Sequence, residues 1–395
     1  MTDLVALLTG PRAADLLQGA LTGTPGAQLP GFTCAVDEVH DRVGAETSVT
    51  YHVSYDVGGT QHADYLVVTT ADVEATATVT VEDVPIRVWR HPDDPRLPGL
   101  AGACTPEVLR EWLPGAQTDP DVTDVLVYRP LRRAVLRTER GADMWFTKVV
   151  RPDRGELLER RHALLDGIGP DVVARPEPGV LVTARVPGQP LAVALSAWQI
   201  GESSDEPDPA DAVALLGRLP DGLLDLPPRP SWTDRADFHG AMAAAALPDH
   251  AEEIGVLTEE IRRLADEHPV GPVVPTHGDF YEANIFCEGG RASRLIDVDT
   301  AGPGRREDDL ACLVAHLAVL ADLSPEHYPD GAAVCDRWAS YVEREVHPGA
   351  FRVRVAGVLL SLVARAPRSV ALARLDLARA WVWRAGLTAS AAPRA

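Results

Sequence analysis

Three side chains in one short stretch, Asp279, Asn284 and Asp297, are of the types that hold a hard divalent cation, and their spacing lets them meet. From residue 273 to 311 the sequence reads VVPTHGDFYEANIFCEGGRASRLIDVDTAGPGRREDDLA. Residues 284–287 and 293–297 read as the two arms of a hairpin turning at Gly289-Gly290. The open ends of those arms bring Asn284 beside Asp297, with Asp279 on the loop just before. The set offers oxygen ligands suited to Mg²⁺ and leaves one carboxylate free. Lys148 stands apart by composition: among 37 basic residues it is the one lysine, and every other is arginine. Arginine presents a wide planar fork and lysine a compact point charge on a flexible stem, so a lysine kept in such a chain points to a tight site that needs an ammonium.

Phosphoryl transfer asks for these parts: a carboxylate to orient an acceptor hydroxyl, oxygen ligands for a metal, and a cation on the nucleotide phosphates. The pattern HGDxxxxN from His277 to Asn284, followed by IDxD from Ile296 to Asp299, resembles the aminoglycoside phosphotransferase and choline kinase superfamily, relatives of the protein kinases. The resemblance covers roughly residues 121–395. It implies that Asp279 is the catalytic carboxylate and that Asn284 and Asp297 are the metal ligands. It further implies ATP and Mg²⁺ as cofactors. Lys148 would contact the α- and β-phosphates, held by a helix glutamate, Glu159 in preference to Glu156, and Thr183 to Arg185 would form the hinge that passes the adenine. The partner implied is a small molecule with a hydroxyl group: an amino sugar or aminoglycoside, or a plain sugar. A β-rich segment ahead of the smaller lobe is similar to the maltokinase-like branch, although Asn284 stands where that branch would carry glutamine.

His277 is expected to brace its loop; Asp309 reads as a cap of the helix that follows it at least as well as a catalytic residue, and Asp299, a candidate to reach the metal or the acceptor, is left out of the core site. No GxGxxG turn precedes Lys148; Arg129-Pro130-Leu131-Arg132-Arg133 takes its place, and its guanidinium groups are candidates to cover phosphates. Two competing readings differ in class. A metal-dependent hydrolase would use His277, Asp279, Asp297 and Asp299 as ligands and would have no use for Lys148. A non-catalytic, kinase-shaped binding protein would show no metal-dependent nucleotide binding.

The elements that must position these residues follow from periodicity. Residues 125–128, 134–138 and 144–150 read as three strands, with Lys148 in the third. Alternation puts Lys148 on the face of Met144, Phe146 and Val150, expected to be the more apolar one. A helix starts at Pro152-Asp153, carries an apolar stripe through Leu157, Leu158, Leu164 and Leu165, and stops at Gly167 and Gly169. Residues 180–183 read as one further strand. Beyond Pro190 the chain reads as mostly helical, interrupted at 201–209 and 220–230. Ahead of all this, residues 47–57, 63–70 and 75–81 alternate apolar and polar side chains and read as a β-meander. The expected fold is α+β: a bilobal protein-kinase-like fold with a small β-rich N-lobe at 121–188, a helical C-lobe at 189–395 and a β-rich cap over 1–120.

Composition sets the remaining expectations. A formal charge of −21 argues against nucleic-acid partners. The five cysteines are widely spaced without a CxxC pair, which suggests neither a disulfide framework nor a zinc site and fits a reducing cytoplasm. The start MTDLVALLTG carries an acidic residue where a secretory leader would be basic, and no apolar run approaches membrane-spanning length.

Overall fold

The computed structural model describes residues 4–41, 45–115 and 118–391, with side chains described through residue 388. Asp3, on which the reading of the N-terminus turns, lies outside the described residues. The chain forms two compact units, residues 1–159 with 172–185 and residues 160–171 with 186–395.

In the first unit, helices α1 (Leu4–Thr9) and α2 (Ala13–Thr22) precede an antiparallel sheet of five strands: β1 (Thr33–Asp41), β2 (Thr47–Val57), β3 (Thr60–Thr69), β4 (Ala77–Val81) and β5 (Val84–Arg90), in the order β1-β2-β3-β5-β4. Two of these strands escape the periodicity reading. β1 is a largely exposed edge strand with a register shift between Val36 and Val39, and β5 contains Pro85, so neither shows a clean alternation. Glu82 and Asp83, both at positive φ (49° and 65°), close the two-residue turn between β4 and β5, the backbone geometry that suits hairpin twist.

Alternation then sorts side chains to two cores. Val49, Tyr51, Val53, Leu66 and Val68 pack on Leu8, Leu16 and Leu17 of the two helices. Val67 and Trp89 point the other way and join Leu97 and Leu100 around α3 (Gly99–Ala103). That second core continues into Tyr128, Leu131, Ala134, Leu136, Val149 and Val180 of the following sheet, so residues before 120 and the strands after it share one apolar interior. Helix α4 (Pro106–Trp112) adds Leu109 against Trp145 and Val182. The second sheet runs β6-β7-β8-β10-β9, from β6 (Val122–Arg129), β7 (Arg133–Arg140), β8 (Asp143–Val150), β9 (Val172–Ala174) and β10 (Val180–Ala184). Helix α5 (Pro152–Leu164) follows β8 and carries the chain from the first unit into the second.

One buried carboxylate ties the arginine-rich turn to this interior. Asp94 Oδ2 accepts from the Tyr128 hydroxyl and from the Leu131 amide, each at 2.8 Å. Leu131 sits at φ 64°, a conformation that costs a non-glycine residue about 1–2 kcal/mol, and its side chain is wholly buried. Replacing Asp94 with alanine should leave both donors without a partner and lower the stability of the chain by about 2–4 kcal/mol in denaturant unfolding. Asp94→Asn should cost less, because one amide oxygen in the Oδ2 position still accepts both.

The second unit is built on helices: α6 (Leu191–Gln199), α7 (Pro209–Leu216), α8 (Ala236–Ala246), α9 (Ala251–Glu267), α10 (Arg306–Leu323), α11 (Gly331–Glu345), α12 (Pro348–Val363) and α13 (Arg368–Ala391). α12 is buried around nearly its whole circumference and packs on α8, α9, α10 and α13. Two small antiparallel ladders complete the unit. β11 (Gln189–Pro190), β13 (Ile285–Glu288) and β14 (Arg291–Leu295) form one, and β12 (Val273–Thr276) with β15 (Gly302–Arg305) the other. Among the described residues no helix is long and apolar enough to cross a membrane, and all five cysteines are free thiols.

Candidate active site

The two ladders of the second unit place the acidic motif. β12 pairs Thr276 with Gly302 of β15, and β13 pairs Ile285 with Leu295 of β14. The loop from His277 to Asn284 joins β12 to β13, while residues 296–301 join β14 to β15, so the loops are fastened at both ends to the same partners and run side by side. Direct bonds join them: the Ile296 amide donates to the Asn284 carbonyl at 2.9 Å, and Thr300 Oγ1 to the His277 carbonyl at 3.0 Å. The approach is close at Gly278 (φ 81°), where an added Cβ would stand 2.7 Å from the Thr300 carbonyl oxygen.

Within this frame Asp279, Asn284 and Asp297 share one neighbourhood. Asn284 Nδ2 donates to the Asp279 carbonyl at 2.9 Å, which commits the amide nitrogen and turns the side-chain oxygen away from that bond. Asp297 adopts left-handed angles (φ 52°, ψ 49°), uncommon for a residue with a Cβ. After burial, the negative charges of Asp279, Glu282 and Asp297 together push the Tyr281 hydroxyl up to about 12. Asp299 acts on the same loop through His277.

His277 braces the loop as expected. It is fully buried, with Nδ1 accepting from the Asp279 amide at 3.3 Å and Nε2 bonded to the Ile296 carbonyl at 2.9 Å, and burial lowers its pKa. A neutral ring with its proton on Nε2 satisfies both bonds, and with both nitrogens engaged His277 has no lone pair for a metal. Among the described residues no three histidine, cysteine or acidic side chains converge as a metal-binding group.

Asp309 departs from its expected part. It lies inside the first turn of α10, whose N-cap is Arg305, and caps nothing. Its two oxygens accept from the amides of His277 and Gly278, both at 2.8 Å, and burial pushes its carboxyl up to about 7. Two more residues have no signal in the sequence pattern. Arg229, in the proline-rich stretch, donates to the Gly278 carbonyl at 2.9 Å. Glu282, inside the loop, is buried with Oε2 lacking a protein partner, and burial pushes its carboxyl up to about 7.

The other sequence-derived residues lie in the first unit. Lys148 occupies the middle of β8, opposite Val135 of β7 and Leu181 of β10. The alternation is as expected, but the core face of β8 is the other one: Trp145, Thr147 and Val149 are buried, while Met144, Phe146 and Lys148 are half-buried. The cores built by Leu109, Trp89 and their neighbours take that opposite face. Glu159 is half-buried on α5 with Arg175 Nε 3.7 Å from its Oε2, and Glu156 is exposed. Thr183 pairs with Phe146 and donates to its carbonyl at 3.4 Å; Arg185 is exposed, its amide bonded to the Met144 carbonyl, and is the last residue of the first unit before the chain enters the second at Val186.

The profile of the phosphotransferase enzyme family matches residues 133–340. The chain belongs to that family. The matched stretch holds Lys148, Glu159, Thr183, Arg185, Asp279, Asn284 and Asp297 and begins after the first sheet. Its members are phosphotransferases, and this chain is a small-molecule kinase of that kind. Among solved structures it is similar to a choline/ethanolamine kinase family protein from Mesorhizobium loti, at 17% identity over 73% of this chain and 96% of that one, with a TM-score of 0.46. It is similar also to a choline kinase from Cryptosporidium parvum Iowa II (13% identity, 71% and 93% of the two chains, TM-score 0.40). A thermostable mutant of an aminoglycoside phosphotransferase, in complex with ADP and hygromycin B, aligns at 14% identity over 70% and 96% of the chains, with a TM-score of 0.42. No curated protein matches.

In this phosphotransferase the 277–284 loop is also stacked onto α10: the rings of Tyr281 and His316 lie 4.4 Å apart at 32°. Burial, and then Arg374, lower the His316 pKa to about 4. The folded state therefore takes up this proton less readily than the unfolded chain, with its pKa near 6.5, and stability should fall as pH drops from about 6.5 towards 4. His316→Gln should flatten that part of the curve; equal unfolding midpoints for wild type and variant at pH 7.5 and pH 5 would refute the assignment.

Proposed function

We propose that this phosphotransferase moves the γ-phosphoryl group of ATP to a hydroxyl of a sugar, amino sugar or aminoglycoside. The observation that carries the reading is the pair of fastened loops that gathers Asp279, Asn284 and Asp297. The acceptor oxygen bonds to the γ-phosphorus as the bond to the bridging oxygen breaks. Its proton passes to the Asp279 carboxylate, and ADP leaves with the bridging oxygen. Asn284 and Asp297 supply the hard oxygens that Mg²⁺ prefers, and a bound Mg²⁺ would neutralise phosphate charge. Lys148 holds the α- and β-phosphates with Glu159 as its acidic support, and the backbone from Thr183 to Arg185 meets the adenine. Residues 121–188 then serve as the nucleotide lobe, 189–395 as the acceptor lobe and 1–120 as a cap, in a cytoplasmic enzyme.

Consumption of ATP, screened over sugars, amino sugars, aminoglycosides and amino alcohols with and without Mg²⁺, tests the reading and names the acceptor class. Lys148→Ala should weaken Mg-ATP binding in calorimetry at least tenfold. Full activity of that variant would remove the lysine from the site.

A further inference from the structure

Three arginines of the second unit, Arg229, Arg235 and Arg365, the first of them bonded to the 277–284 loop, lack an acidic partner among the described residues. Arg229, bonded to the Gly278 carbonyl one residue before Asp279, lies over the Trp232 ring at 5.2 Å. Arg235 lies over Phe238 at 4.7 Å. Arg365 follows α12 and is exposed. Among the described residues none of the three has a carboxylate within 4.0 Å. His239 of α8, on the same stretch as Arg229 and Arg235, has its Nε2 buried without a partner; burial, and then the charges of Arg235, Arg229 and Arg365, lower its pKa to about 4.

Such a grouping runs against the character of a chain whose net charge is −21. Nearby arginines are neutralised: Arg262 by Asp237 at 3.3 Å and Arg354 by Asp308 at 2.9 Å. The neighbouring acids are otherwise engaged, since Asp237 holds Arg262 and Asp234 accepts from the Ser231 amide at 2.8 Å. Aromatic faces hold two of the guanidinium groups in place, and of their N–H groups Arg229 Nη1 is spent on the Gly278 carbonyl. Guanidinium forks match the paired oxygens of a carboxylate or phosphate.

We propose that Arg229, Arg235, Arg365 and His239 form an acceptor subsite for an anionic group, so that the molecule phosphorylated is a sugar-like hydroxyl compound that also carries a carboxylate or phosphate. The subsite rests on the assignment of Asp279 to the acceptor hydroxyl, because it lies one residue from that carboxylate along the loop. An anion there lowers the mutual repulsion of three cations and gives the His239 ring a hydrogen-bond partner.

Calorimetry on the full chain tests this with Mg-AMP-PNP already bound, so that the nucleotide's own phosphate positions are filled. Glucuronate, glucose 6-phosphate, glucose and glucosamine are then titrated. The expected result is saturable binding of one or both anionic sugars, at least tenfold tighter than glucose or glucosamine, with that preference lost in the Arg235→Gln/Arg365→Gln double variant. Preference for glucuronate assigns a carboxylate, and preference for glucose 6-phosphate a phosphate. Tighter binding of glucosamine, or anion binding that is equal or absent in wild type and variant, overturns the subsite and leaves the phosphotransfer reading standing. Failure of the wild type to bind Mg-AMP-PNP overturns that reading and the acceptor assignment with it. Should the double variant unfold, Arg365→Gln alone, at an exposed position, carries the same comparison.

Discussion

Replacing Asp279 with asparagine should lower kcat by about 10²–10⁴-fold, the range that a positioned proton acceptor contributes, while Mg-ATP affinity stays within a factor of about three. The variant removes the charge and the basic oxygen and keeps the size of the side chain. Two bonds of this residue belong to the backbone: the Asp279 amide donates to His277 Nδ1, and its carbonyl accepts from Asn284. Asparagine keeps both of these backbone bonds. Steady-state kinetics with the best acceptor, beside calorimetry with Mg-ATP, separates the two effects. A loss of kcat below tenfold would take proton acceptance away from Asp279.

The second large effect belongs to a residue that touches no reactant. Asp309 is wholly buried and holds the amides of His277 and Gly278. Alanine there would strand two donors where water has little access, at about 1–3 kcal/mol each, so Asp309→Ala should cost about 2–6 kcal/mol of stability. The same change frees the start of the loop proposed to carry catalysis, and a displacement near 1 Å can cost about 10²-fold in rate. Asparagine at this position offers one acceptor oxygen and turns an N–H group toward the second donor, so Asp309→Asn should lose both amides' worth of bonding only in part. Urea unfolding and kcat, measured on both variants, give the check. An unfolding midpoint for Asp309→Ala equal to the wild type would show that the loop is held by other means. A helix-capping role would predict a small loss of stability with kcat intact.

These two aspartates differ in how far the sequence reveals them. The part proposed for Asp279 rests on local order: HGD, a fixed step to Asn284, two glycines that turn a hairpin and an acidic arm returning to Asp297. Hairpin pairing follows from alternation and turn chemistry over fewer than about twenty residues, so no distant contact is needed to foresee it. Lys148 was visible by composition, and its strand by the same alternation. Asp309 looks like any acidic residue at the start of a helix, and what it does depends on β12 and β15 pairing across the intervening loops. Arg229 reaches Gly278 from a proline-rich stretch with no periodicity at all. The face of β8 that became core was settled by helices and a neighbouring sheet from earlier in the chain, because alternation separates two faces and does not say which one another element will cover. Chemistry carried by near neighbours could be read in order along the chain. Bracing, burial and the gathering of charge around His239 required residues far apart in sequence to pack, and packing is set by shape and volume that a one-dimensional pattern does not encode.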